Sequence, residues 1–167
     1  MNCDPPIDPA SPYPRGDKAT WAEQATRIFR GEVPGVELEI PALLCWLEDY
    51  NWPGAHEIAD FLLNLGRPVV PHVKYVLRHT DDLAWKYWLL VALVLRWPQD
   101  YVNEVGEEVL LLAKGEDDNE VHLVALEVCI KANLIGPIEA IRLIGEKEGR
   151  HPDLKRDTEN LRRALRT

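Results

Sequence analysis

The stretch DYNWPGAHEIADFLLNLGRPVVPHVKYVLR, residues 49 to 78, decides the fold. Its apolar residues recur every three or four positions and never alternate for long, so both halves read as helices. An Asp-containing turn opens it, and Gly66-Arg67-Pro68 punctuates its middle. The same layout returns twice: Asp81 opens a second unit that passes through Pro98, and Asp117 opens a third that passes through Pro137. The aspartates stand 32 and 36 residues apart and the prolines 30 and 39. Recurrence of turn, helix, Gly/Pro turn and helix predicts an all-α, HEAT-like α-solenoid of stacked antiparallel hairpins, with about eight to nine helices.

Working outward, Asp17 is a good N-cap for KATWAEQATRIF, whose Trp21, Ala25, Ile28 and Phe29 share one helical face. Further helices are expected near 40–48, 53–65, 68–79, 82–96, 99–113, 118–133, 136–148 and 153–166. The central one, containing Trp85, Tyr87, Trp88 and Leu89 to Leu95, is apolar nearly all round, so neighbours should cover both its sides and bury Trp88. Helix 53–65 instead gathers His56, Glu57, Asp60 and Asn64 into a polar stripe and should lie nearer an edge. Residues 1–16, with five prolines and almost nothing apolar, read as a flexible tail before a single domain at 17–167.

The chain carries 19 Lys plus Arg against 28 Asp plus Glu, a net charge of −9. That balance repels phosphate backbones, disfavours nucleic acid and favours a basic protein partner. Five cations, Lys155, Arg156, Arg162, Arg163 and Arg166, gather in the last helix, where they suit a solvated helix C-terminus. Cys3, Cys45 and Cys129 form no metal or disulfide pattern. Cys45 and Cys129 sit in apolar runs as packed free thiols, which fits a reducing cytoplasm. The start Met-Asn-Cys-Asp-Pro-Pro lacks a leader's basic and apolar regions, and the longest apolar run, Tyr87 to Leu95, is too short for a membrane span.

Two tryptophans and a tyrosine crowd WLEDYNWPGA, residues 46 to 55. Pro53 suits a first helical turn with Asn51 or Trp52 as cap, and Asp49 suits the positive end of the following helix. The segment is either a packed corner or a binding epitope. It also carries a resemblance: Trp46, Leu47, Asp49, Asn51, Trp52 and Pro53, followed by Trp85, Lys86, Tyr87 and Trp88, resemble an uncharacterised bacterial family of small helical proteins. Gly54 stands where that family's pattern has alanine. The resemblance spans roughly residues 38 to 113 and implies a HEAT-like domain, with no established activity or catalytic residues.

HEIAD, residues 56 to 60, echoes the metalloprotease helix HExxH, but aspartate replaces the second histidine and no third ligand follows. His72, His79 and His122 complete no site, and no nucleophile motif or phosphate loop is visible. Neither a cofactor nor a metal is called for.

In a hairpin solenoid equivalent turns stack along one edge. Here Glu48-Asp49, Asp81-Asp82 and Glu116-Asp117-Asp118 with Glu120 make that edge acidic. Helix capping explains about one carboxylate per turn, not two to four. The expected function is therefore a non-catalytic interaction module that binds a basic protein through Asp49, Tyr50, Trp52, Asp81, Asp82, Asp117, Asp118 and Glu120. By class analogy it would be an immunity-type protein against a basic nuclease. The alternative is a metal-dependent enzyme or small-ligand binder using His56, Glu57 and Asp60.

Overall fold

The computed structural model describes residues 18–115, 120–150 and 152–165, and every regular element among them is helical. The helices are α1 (Lys18–Phe29), α2 (Ile40–Leu44), α3 (Ala55–Leu65), α4 (Val70–His79), α5 (Leu83–Ala92), α6 (Gln99–Glu104), α7 (Gly106–Lys114), α8 (Val121–Lys131), α9 (Pro137–Arg150) and α10 (Lys155–Ala164). Short 3-10 turns at Cys45–Leu47, Arg67–Val69, Val94–Arg96 and Pro152–Leu154 extend four of them. The proposed Asp17 cap and the N-terminal tail lie outside the described residues.

Two expected helices are broken. The 82–96 helix ends at Ala92, where Leu93 turns to φ −120°, and the backbone continues as a 3-10 turn. The 99–113 helix is interrupted at Val105, whose amide bonds back only three residues, to Val102 O. Gly106 follows, and glycine gives the helix little reason to continue through that point.

The chain divides into two compact units, the first ending at Trp97 and the second beginning at Pro98. In the first, α1 packs on α3. Trp21, Ala25 and Ile28 of α1 are buried, as are Ala55, Ile58, Ala59 and Leu62 of α3. Phe29, expected on the same face, is 45% exposed, since the buried stripe runs through positions 21, 25 and 28 and leaves 29 beside it. The segment from Ala42 to Leu47 is buried without interruption. Each of its large side chains contributes roughly 1.5–3 kcal/mol on leaving water. Helix α5 packs on its Cys45–Leu47 turn, and the Trp85 indole Nε1 donates to Leu44 O at 3.0 Å.

Helix α5 is not covered on both sides. Trp85, Leu89, Leu90 and Ala92 are buried, whereas Lys86, Tyr87, Trp88 and Val91 are half-exposed. Helical rotation puts positions 85, 89 and 92 on one face and 87, 88 and 91 on another. Trp85, not Trp88, is thus the core tryptophan of this helix.

In the second unit α7 and α8 form the closest pair, and α8 also meets α9 and α10. Buried residues run almost all round α8, from Val121 to Ile130. Glu148 of α9 ties α10 down: it accepts from Thr158 Oγ1 at 2.6 Å and from Arg162 Nη2 at 2.8 Å. The buried Lys147 donates to Gly115 O at 2.9 Å, at the end of α7 where helix carbonyls lack partners.

The all-helical class is therefore as expected. The strongest pairings, α1 with α3 and α7 with α8, are not within the three expected hairpins: α1 precedes the stretch opened by Asp49, and α7 and α8 lie on either side of Asp117. Cys129 is a buried free thiol, but Cys45 is disulfide-bonded, which removes the cysteine argument for a reducing compartment. A half-cystine sulfur carries no proton, so the 3.4 Å approach of Cys45 Sγ to Pro41 O is a packing contact. No helix among the described residues is long and apolar enough to cross a membrane.

Candidate functional site

The corner at residues 46 to 55 divides into an inner and an outer part. Trp46 is fully buried and meets Trp21 edge-on at 6.1 Å between ring centroids; Trp21 in turn meets the half-exposed Trp52 at 5.3 Å. Lys18 Nζ lies 5.5 Å from the Trp21 ring and 5.6 Å from the Trp52 ring, within cation–π range of both. Asp49 does not serve the next helix. Its Oδ1 accepts from Asn51 N at 2.9 Å and from Asn51 Nδ2 at 3.0 Å, so the carboxylate shapes the turn itself.

Gly54, not Asn51 or Trp52, caps α3, and Pro53 falls before the helix rather than in its first turn. Gly54 has φ +90°, and a Cβ there would lie 2.4 Å from Ala25 Cβ. Alanine, which the resemblance would place here, does not fit against α1.

Tyr50 points into a different neighbourhood. Its ring centroid lies 4.1 Å from that of His56 on α3 and 5.6 Å from that of Trp88 on α5; Trp88 meets Tyr87 edge-on at 4.9 Å. Four rings thus follow one another as His56, Tyr50, Trp88 and Tyr87. His56 is exposed and the other three are half-exposed. Arg96 completes the group, its Nη2 lying 2.7 Å from Asp60 Oδ1 across 36 residues of sequence. Partial burial raises the Tyr50 phenol above its ordinary range, with the Arg96 guanidinium opposing and the Asp60 and Glu57 carboxylates adding to the rise. All of these groups belong to the first unit.

Two of the HEIAD side chains therefore have other engagements: His56 makes a tilted ring contact with Tyr50, and Asp60 pairs with Arg96. Among the described residues no group of three or more His, Cys, Asp or Glu is placed to hold a metal ion.

The carboxylates expected along one edge are distributed as follows. Asp81 and Asp82 are exposed in the first unit, and Asp82 caps α5, its Oδ1 accepting from Trp85 N at 2.9 Å. Glu120 precedes α8 in the second unit with φ +58° and makes no side-chain cap. Asp117 and Asp118 lie outside the described residues. Asp capping is thus seen at Asp82, while α3 uses a glycine.

Sequence reasoning selected Tyr50 but missed three of its companions. Tyr87 and Trp88 were visible in the WKYW motif, yet their helix read as buried all round. Arg96 gave no local signal, since its partner Asp60 lies on α3 and is reached only in the folded chain.

The domain of unknown function DUF5071 matches residues 17–132, more than half of the chain, so the protein belongs to that family. The match contains the whole stretch, residues 38 to 113, over which the resemblance was seen. No curated protein and no solved structure matches.

Proposed function

We propose that this member of DUF5071 is a non-catalytic interaction module whose first unit docks a basic protein. The observation that carries the reading is the run of four rings, His56, Tyr50, Trp88 and Tyr87, presented at the surface beside the Asp60 and Glu57 carboxylates. Rings of this kind supply large, rigid contact area, and aromatic residues are enriched at interfaces. Asp81 and Asp82 add exposed negative charge in the same unit, and the whole chain stands at −9. Such a field accelerates encounter with a cationic surface and repels nucleic acid. The three recurring Asp-turn units support a HEAT-like helical-repeat scaffold as part of this reading.

Catalysis through His56, Glu57 and Asp60 is the weaker reading, because Asp60 is already engaged by a guanidinium and His56 by the Tyr50 ring. Metal analysis of the purified protein tests this: stoichiometric zinc would favour the metal-dependent alternative. Affinity capture from the native cell, followed by purification of the captured protein, tests the module itself. The expected partner is basic and binds the isolated chain directly. A basic nuclease would narrow the module to the immunity type; an acidic or neutral partner would overturn the reading.

A further inference from the structure

Arg96 lies on Asp60 and beside Tyr50, at the margin of the row of rings, in a manner that another arginine can copy. Its guanidinium approaches the Asp60 carboxylate to 2.7 Å and acts on the Tyr50 hydroxyl beside it, while His56 and Trp88 flank the Tyr50 ring. We propose that this site receives an arginine side chain of the partner, which takes the place of Arg96 on Asp60; the proposal rests on the interaction-module reading above.

Three features of the site select that occupant. A guanidinium is planar, stacks on aromatic faces and matches a carboxylate through parallel N–H groups, whereas a lysine ammonium is a compact, strongly hydrated point charge. The resident pair is easily displaced: the Arg96 and Asp60 side chains are 48% and 49% exposed, and pairs so exposed are screened and weakly held. Finally, the Asp60 and Glu57 carboxylates both bear on Tyr50, so an incoming cation meets negative charge beside the rings. Arg96 itself rides on the 3-10 turn Val94–Arg96 with an exposed side chain, so it can leave without disturbing the core.

The test is calorimetric titration of the full chain at low salt with two peptides, acetyl-Gly-Arg-Gly-Arg-Gly-Arg-Gly-amide and its counterpart with lysine at each arginine. The unaltered chain should prefer the arginine peptide. Arg96→Gln should tighten the arginine peptide by about two- to fivefold, the equivalent of one exposed ion pair, and the lysine peptide by less. Asp60→Asn should abolish the preference, and thermal melts of both variants confirm that they fold. Equal binding of the two peptides to all three proteins, or equal tightening of both by Arg96→Gln, would overturn the proposal. If the peptides fail this test while the captured basic partner still associates at a charge-dependent rate, the arginine site alone is wrong. If no cationic partner or peptide binds at all, the module reading fails with it.

Discussion

Replacing Gly54 with alanine adds one methyl group at a place with no room for it. The residue sits at φ +90°, a left-handed conformation that costs an L-amino acid roughly 1–2 kcal/mol. The new Cβ would lie 2.4 Å from Ala25 Cβ, 3.0 Å from Trp46 Cζ3 and 3.1 Å from Trp21 O. None of these is the end of a flexible chain, so α1 must shift away from the corner, and overpacking of this kind costs about 1–3 kcal/mol. The sum, about 2–5 kcal/mol, is a large share of an ordinary domain's stability.

Gly35→Ala is the control, because φ there is +76° with nothing within 4 Å of the added atom. It should cost only the conformational part, about 1–2 kcal/mol. The cycle with Ala25→Gly isolates the clash, since removing the Ala25 methyl should recover about 0.5–3 kcal/mol in the double variant. Urea unfolding followed by tryptophan fluorescence reads the unaltered chain and the four variants, with Trp21 and Trp46 as reporters at the contact itself. If Gly54→Ala costs no more than Gly35→Ala, α1 does not press on this corner and the packing described for α1 and α3 is wrong.

Trp85→Ala should cost about 3–5 kcal/mol, as for other buried tryptophans, and Trp88→Ala only about 0.5–3 kcal/mol; chemical denaturation giving the reverse order would contradict the placement of α5. Arg162 and Thr158 hydrogen bonds hold the Glu148 carboxyl below its usual range. That stabilisation is therefore complete above the unfolded value of about 4.3 and is lost as pH falls through the lowered folded value. The protection of the α10 amides, taken relative to their intrinsic exchange rate at each pH, should fall on acidification, and Glu148→Gln should remove that fall; an unaltered protection profile in the variant would show that Glu148 does not anchor the helix. Burial pushes the Cys129 thiol up to about 12, so Ellman's reagent at pH 8 should modify it far more slowly in the native protein than in denaturant. Rapid native labelling would place Cys129 at the surface.

Helix existence was legible because periodicity reports it directly: the span read for the first helix, Lys18 to Phe29, is the span observed. Breaks at Leu93 and Val105 were not, since each depends on backbone angles that no preceding proline or glycine announces. The two tryptophans of α5 show the same limit. An apolar helix does not reveal which face its neighbours will cover, and only the Trp85 bond to Leu44 O and the burial around it settle that question. Gly54 looked like a departure from a pattern; its reason is the methyl of Ala25, which chain folding brings alongside. For the candidate site the sequence supplied Tyr50 and the HEIAD stripe. The Arg96–Asp60 pair that joins α3 to the turn after α5 spans 36 residues and has no signature in either segment.

The claim that the first unit docks a cationic protein is tested most directly by the association rate with the captured partner, measured at two ionic strengths. The comparison is between the unaltered chain and Asp81→Asn/Asp82→Asn. Asparagine keeps the capping oxygen of residue 82 while two negative charges are removed, taking the net charge from −9 to −7. The account predicts slower association at low salt, a difference that shrinks as salt screens the field, and little change in dissociation. Association that is equally fast for both proteins at low salt would contradict it.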